Sequence, residues 1–335
     1  MPYCDLKTGL CTDTSVALDA PATRDHAPTP FGEIVYATDP ICSHCWAMEP
    51  AWRKLLYHYG NQLSVRHVYG GLLPSWQGFQ DVSAGIGQPA DVAPHWADVA
   101  QHYGQPIDPS VWLRDPLHSS YPPSIAVHAV RMLAPEREGA FLRRIREALF
   151  LHAQNIARPE LLTEYARELG IDRQQFSMLY DNGIAEAAFR RDLEEVRRLG
   201  VRGFPTLIIR GCDGGIVTVH GSQPYARLER AVLQVTGLPP AKQPPTLDQG
   251  LATYGSGTTK EFAELLNLDH AAAVRVLEAS GVDRTPVAGD AVWSVSVGQV
   301  VMSASLLLAH IKHLINKRKR NYHAHHFART AGQGL

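Results

Sequence analysis

Glu33-Ile34-Val35-Tyr36-Ala37-Thr38-Asp39-Pro40-Ile41-Cys42-Ser43-His44-Cys45-Trp46 is the stretch on which the fold turns. Glu33 to Thr38 reads as a β-strand, and Asp39-Pro40-Ile41 as a tight turn. From Trp46 to about Tyr59 the pattern is helical, with a kink expected at Pro50. A strand, a turn and two cysteines three apart at a helix start form a redox arrangement. One helical turn brings the two sulfurs within bonding reach. The first sulfur sits where backbone N–H groups point outward and the helix dipole is positive. Both favour thiolate at Cys42.

Downstream, Ser64 to Tyr69 reads as a second strand, ended by Gly70-Gly71. From Pro74 to Pro123 the chain is rich in Gly, Pro, Trp and His, and only short helices are expected. Helical stripes then follow: Ile125/Val127/Val130/Leu133, Phe141/Leu142/Ile145/Leu149/Phe150, Leu161/Leu162/Tyr165/Ala166/Leu169, and Phe189/Leu193/Val196/Leu199. The Arg and Glu residues between them read as solvated faces. Thr206 to Ile209 and Ile216 to Val219 read as a hairpin around Gly214-Gly215, with a helix from about Pro224 to Val235. The order β, α, β, helical block, β, β, α is thioredoxin-like. The expected class is α/β, a thioredoxin-like fold over 31–238 with a large helical insertion at about 74–200.

Around this unit, residues 1–30 read as a loose arm carrying Cys4 and Cys11. That pair could be free thiols, a small disulfide loop or a metal site. Pro239, Pro240, Pro244 and Pro245 mark a linker over 239–248. Residues 249–297 then read as a small winged-helix-like module. Thr258-Thr259-Lys260-Glu261 is a capping box opening one helix, Asp269 caps another, and Val287 to Val295 suggests a hairpin. Between residues 260 and 290 six acidic residues outnumber three basic ones. A DNA reader needs the opposite sign, so a packing or partner-binding role is expected there. After Asp290 no acidic residue occurs. The tail over 298–335 carries Lys317-Arg318-Lys319-Arg320 and the cluster His323, His325, His326, and reads as a solvated segment.

The 335 residues allow one or two domains, and 45% hydrophobic against 19% charged residues marks a globular chain. A net charge of −1 gives no reason to expect a nucleic-acid or membrane partner. Val297 to Ile311 is too short and too polar to span a bilayer. The first residues show no basic start with an apolar run, so the expected address is the cytoplasm. Thiols stay reduced there, which makes a Cys-x-x-Cys more plausibly catalytic or metal-binding than structural. Zinc would want two more ligands at recognisable spacing, and Cys212 stands alone. Inert thiols at chance spacing are the remaining alternative.

The chemistry expected of the pair is dithiol–disulfide exchange without metal or organic cofactor. Free cysteine has a pKa of about 8.5, and two units of lowering equal about 2.7 kcal/mol of preferential thiolate stabilisation. His44 and Ser43, between the cysteines, are expected to tune the thiol. A stabilised thiolate favours the reduced form and makes the disulfide more oxidising. Cys42 is expected to be exposed and nucleophilic, and Cys45 buried and resolving, with a Cys42–Cys45 disulfide as the oxidised state. Gly203-Phe204-Pro205-Thr206 supplies a candidate cis proline before a strand. Backbone beside Phe204, Pro205 and Thr206 could pair with an extended substrate.

Asp39 to Trp46, with Glu49-Pro50-Ala51-Trp52, resembles the DsbA-like thioredoxin-fold family over about residues 31–237. Its look is closest to the cytoplasmic FrnE-like branch and the related YjbH/SpxH adaptor-type proteins. The resemblance implies that Cys42 is the nucleophile, Cys45 the resolving thiol and Pro205 the cis proline. It implies protein or small-molecule thiols and disulfides as partners. Two further functions come with it: a redox-regulated adaptor for proteolysis, with a partner on the C-terminal module, and a glutathione-linked isomerase or transferase. The last, in the neighbouring branch, uses serine at the catalytic position. Two cysteines here favour disulfide exchange.

Overall fold

A first long strand buried on both faces sets the architecture. The computed structural model describes residues 31–295 apart from residue 83, and the backbone of residues 3–5 and 10–12. Strands β1 (Tyr3–Asp5) and β2 (Leu10–Thr12) pair antiparallel, with Cys4 opposite Cys11. The expectations for the rest of the arm and for the tail over 298–335 lie outside the described residues.

Strand β3 (Gly32–Thr38) leads into α1 (Ser43–Ala47) and α2 (Glu49–Tyr59). The single kinked helix expected here is two helices. Pro50 cannot donate to a preceding carbonyl and sits in the first turn of α2, where that donor is not needed. Strand β4 (Ser64–Tyr69) returns parallel to β3.

The insertion holds α3 (Val92–Tyr103), α4 (Val111–Arg114), α5 (Tyr121–Leu133), α6 (Glu138–His152), α7 (Pro159–Glu168), α8 (Arg173–Asp181) and α9 (Ile184–Arg198). Helix α3 spans 12 residues, in a region where only short helices were expected. Its Pro94 lies in the first turn and breaks nothing, and Trp96 and Val99 are buried.

Strands β5 (Thr206–Gly211) and β6 (Ile216–His220) form the hairpin, and α10 (Tyr225–Thr236) follows. The sheet order is β4-β3-β5-β6, with β5 antiparallel to both neighbours. Period-two alternation divides the side chains between its faces. Ile34, Tyr36, Leu207 and Ile209 pack with Leu55 of α2 and Leu228 of α10. Val35, Ala37, Val68 and Ile208 pack with Phe204 and both cysteines. The helical insertion has its own aromatic core around Trp46, Trp96, Phe141 and Phe150.

The C-terminal unit runs α11 (Leu247–Tyr254), β7 (Ser256–Thr258), α12 (Thr259–Leu266), α13 (His270–Ala279), β8 (Asp283–Val287) and β9 (Asp290–Ser294). Helices lie ahead of a hairpin wing, and the sheet order is β7-β9-β8. Thr258 and Glu261 form the capping box, and Asp269 caps α13. Phe262, Leu277 and Trp293 make its core. The fold is thus thioredoxin-like α/β with a helical insertion and a winged-helix-like unit. Among the described residues no helix is long and apolar enough to cross a membrane.

Candidate redox site

Cys42 sits at the N-cap of α1, with extended backbone (φ −74°, ψ 113°). Its sulfur accepts the Cys45 N–H at 3.4 Å, so the thiol itself caps the helix. The same sulfur donates to the Phe204 carbonyl at 3.5 Å. The Phe204–Pro205 peptide is cis. The structure therefore brings together Cys42, Cys45 and the Phe204-Pro205 loop across 162 residues of sequence.

The other predicted site residues fall into place less directly. Pro205 O is occupied by Gly221 N–H at 2.8 Å, and Thr206 Oγ1 donates to Gly203 O at 2.7 Å. The Phe204 ring is buried against Gly70, where a Cβ would lie 1.7 Å from Phe204 Cζ. The Phe204 and Thr206 side chains are thus committed to the fold itself. His44 is buried and packs on His95 and Tyr103, with ring centroids 5.7 and 5.8 Å away. Ser43 and Ile41 line a pocket walled by Trp76, Trp96 and Trp112, which holds about 460 Å³ of empty space, mouth included.

Cys42 is not the exposed, acidic thiol that the spacing predicts. Both cysteines have 0% relative exposure. Burial pushes the Cys42 thiol well above its ordinary value, and its hydrogen bond with Cys45 adds to this. The Cys45 N–H at the start of α1 pulls the thiol down without offsetting burial. At Cys45 burial also acts upward. The Cys42 hydrogen bond, the Arg146 charge and the Thr38 hydroxyl outweigh it, and the thiol lies below its ordinary value. Within the reduced pair the Arg146 charge and the Thr38 hydroxyl act on Cys45.

Sequence reading assigned this charge to solvent. Arg146, on α6, is 2% exposed. Its Nη2 donates to Thr38 Oγ1 at 2.5 Å and to Asp39 O at 3.1 Å, and Nη1 reaches Glu49 Oε2 at 3.5 Å. Its Nε is buried without a partner. One signal for Arg146 was available. It lies four residues after Leu142 and four before Phe150, on an apolar stripe rather than between stripes. Asp39 was visible only as part of the motif. Its Oδ1 accepts Ile41 N–H at 3.0 Å, and its Oδ2 accepts Leu72 N–H at 2.7 Å and the Ser120 hydroxyl at 3.0 Å. Burial raises its carboxyl to about 6 against the pull of those three bonds. Among the described residues no group of three or more His, Cys, Asp or Glu could hold a metal ion.

Comparison with known proteins agrees with this fold. A family model described as Thioredoxin matches residues 36–230. A ClpXP adapter protein SpxH of Halalkalibacterium halodurans is 32% identical over 270 residues, covering 79% of this chain and 87% of the relative. The SpxH of Shouchella clausii is 29% identical over 82% of this chain and 89% of its own. Among solved structures, a candidate protein disulfide isomerase from Nitrosomonas europaea superposes with a TM-score of 0.51. It is 23% identical and is matched over 99% of its length and 67% of this chain. That likeness concerns the fold. With a family model across the sheet and the redox helix, and a 32% identical relative matched over most of its length, the chain belongs to the thioredoxin family, in the group of SpxH-type proteins.

Proposed function

We propose that this protein performs dithiol–disulfide exchange through Cys42 and Cys45 in the cytoplasm. The observation that carries the reading is the contact of Cys42 Sγ with the carbonyl beside cis Pro205, with Cys45 one turn behind. In the oxidised state a client thiolate attacks Cys42, the Cys42–Cys45 bond breaks, and Cys45 leaves as thiolate. Arg146 and Thr38 stabilise that leaving sulfur. In the reverse direction the Cys45 thiolate attacks the Cys42 sulfur of the mixed disulfide, the Cys42–Cys45 bond forms and the client leaves as thiolate. The loop backbone at Gly203 and Phe204 holds the client chain beside the sulfur. The test is Cys45→Ala, which cannot resolve. Reductant-sensitive adducts should accumulate through Cys42 and vanish in Cys42→Ala. Absence of adducts with both protein and small-molecule disulfides overturns the reading.

A second reading is a protein adaptor, favoured by the relatives named ClpXP adapter proteins. The C-terminal unit, which lies beyond the residues matched by the family model, supplies surface for a partner. On this reading the double variant Cys42→Ala/Cys45→Ala still delivers a client to ClpXP. Loss of delivery in that variant assigns the function to the cysteines.

A further inference from the structure

A row of alternating buried charges joins the C-terminal unit to the cysteines. It begins at Glu261, on the first turn of α12, which is 3% exposed. Glu261 does more than close its capping box through Thr258 N–H at 2.9 Å. Its carboxylate also takes Arg53 Nη1 of α2 at 2.5 Å, Gln105 Nε2 at 3.0 Å and Arg143 Nη2 of α6 at 2.9 Å. Arg143 stands over the Trp46 ring, its guanidinium carbon 4.7 Å from the centroid, and Trp46 follows Cys45. Arg143 also lies 3.7 Å from Glu49 Oε1. Glu49 in turn meets Arg146, which holds Thr38 Oγ1 and the Asp39 carbonyl next to the redox turn.

We infer that Glu261 is a positioning residue of the Cys42–Cys45 pair, acting through Arg143, Glu49 and Arg146. It rests on the exchange reading above and adds a control to it. With Glu261 and the i+4 partner Glu147 (2.8 Å) both in place, Arg143 is largely neutralised and Glu49 stays available to Arg146. Without that charge, Arg143 draws Glu49 toward itself, and Arg146 is left less compensated beside Cys45. The thiolate gains, and so does the reduced form. A partner that lifts α12 off α2 and α6 has the same effect. The disulfide becomes more oxidising when the C-terminal unit is engaged elsewhere. The coupling is reciprocal: oxidation of the pair, which removes the thiolate, strengthens docking of α12.

The test is the equilibrium of the full chain with glutathione, in which one protein dithiol and one oxidised glutathione give one protein disulfide and two reduced glutathiones. Wild type is measured first. If it forms no disulfide at any ratio, the exchange reading fails and this inference with it. If it does, Glu261→Gln should lower the oxidation constant about threefold or more. Arg143→Gln should raise it, because Glu49 then pairs fully with Arg146. Opposite signs are the signature, since mere loosening of the fold moves both variants the same way. Asn267→Ala is the docking control. It removes the Lys54–Asn267 bond (2.5 Å), another tie between α2 and the unit, without touching the charge row. It should leave the constant unchanged. An unshifted Glu261→Gln, shifts of one sign, or an equal shift in an Asn267→Ala chain whose α12 stays docked overturns the inference. Should Glu261→Gln fail to fold, Arg143→Gln and Asn267→Ala decide by the same criteria.

Discussion

A sulfur with no exposed surface reacts only when its surroundings open. Cys42 is closed in this way, whereas Cys212 is exposed. In the reduced protein, iodoacetamide at neutral pH should modify Cys212 first and Cys42 about tenfold or more slowly, since an opening cost of only about 1.4 kcal/mol already gives a factor of ten. Peptide mapping after timed quenching measures both rates, and equal rates would contradict the closed site. The same scale explains which sulfur ionises. Arg146→Met removes a charge that opposes burial at Cys45, so the thiolate absorbance should appear at higher pH. The lost bonds to Thr38 and Asp39 should also cost about 1–3 kcal/mol in stability. An unmoved titration would remove Arg146 from the account. That Cys42 opens a helix with Cys45 one turn on was readable from spacing; the cation beside them was not. Spacing carries no information about a cation delivered from a helix a hundred residues downstream.

Elements were legible where local chemistry decides them. The capping box at Thr258, the cap at Asp269 and the hairpin at Gly214-Gly215 depend on neighbours within three residues. Pro50 misled, because a proline at a helix start and one inside a helix look alike until the helix boundary is known. Helix α3 was obscured by Pro, His and Trp, residues of poor intrinsic propensity that tertiary packing of Trp96 and Val99 overrides. The contact between the end of β4 and the cis-proline loop was invisible in sequence, yet it positions the site. Gly70 lets the Phe204 ring lie on the backbone. Gly70→Ala puts a methyl into that ring and should cost about 1–3 kcal/mol or more. It should also shift the Phe204 carbonyl from Cys42 and slow mixed-disulfide formation. Denaturant midpoints and the trapping rate test the two effects separately. A variant as stable and as fast as wild type would show that the loop does not need this contact.

Across the whole molecule, two buried carboxyls make stability depend on pH in opposite directions. Burial would raise Glu261, but Arg143 and Arg53 hold it down at about 2. An acid depressed in the folded state stabilises above its unfolded pKa of about 4.3 and loses that contribution as pH falls toward 2. The gap of about two units corresponds to about 3 kcal/mol. Because Glu261 joins α12 to α2 and α6, acid should weaken the attachment of the C-terminal unit in this window. Asp39 is raised to about 6, so it acts the other way. Its contribution is complete below about 3.9 and is lost as pH rises through 6. Between pH 6 and 4 the Asp39 slope therefore favours the folded state as acid is added, and below about 4 the Glu261 slope opposes it. The urea midpoint of the full chain, followed from pH 7 to 2.5, checks both. Asp39→Asn should flatten the upper part of the profile, and Glu261→Gln should make the lower part shallower, the remaining acid slope coming from Glu138, which His67 and Arg131 hold well below its ordinary value against burial. If Glu261→Gln instead flattens both, the charge row carries the titration of one end to the other, and the C-terminal unit and the redox turn unfold as one electrostatic body.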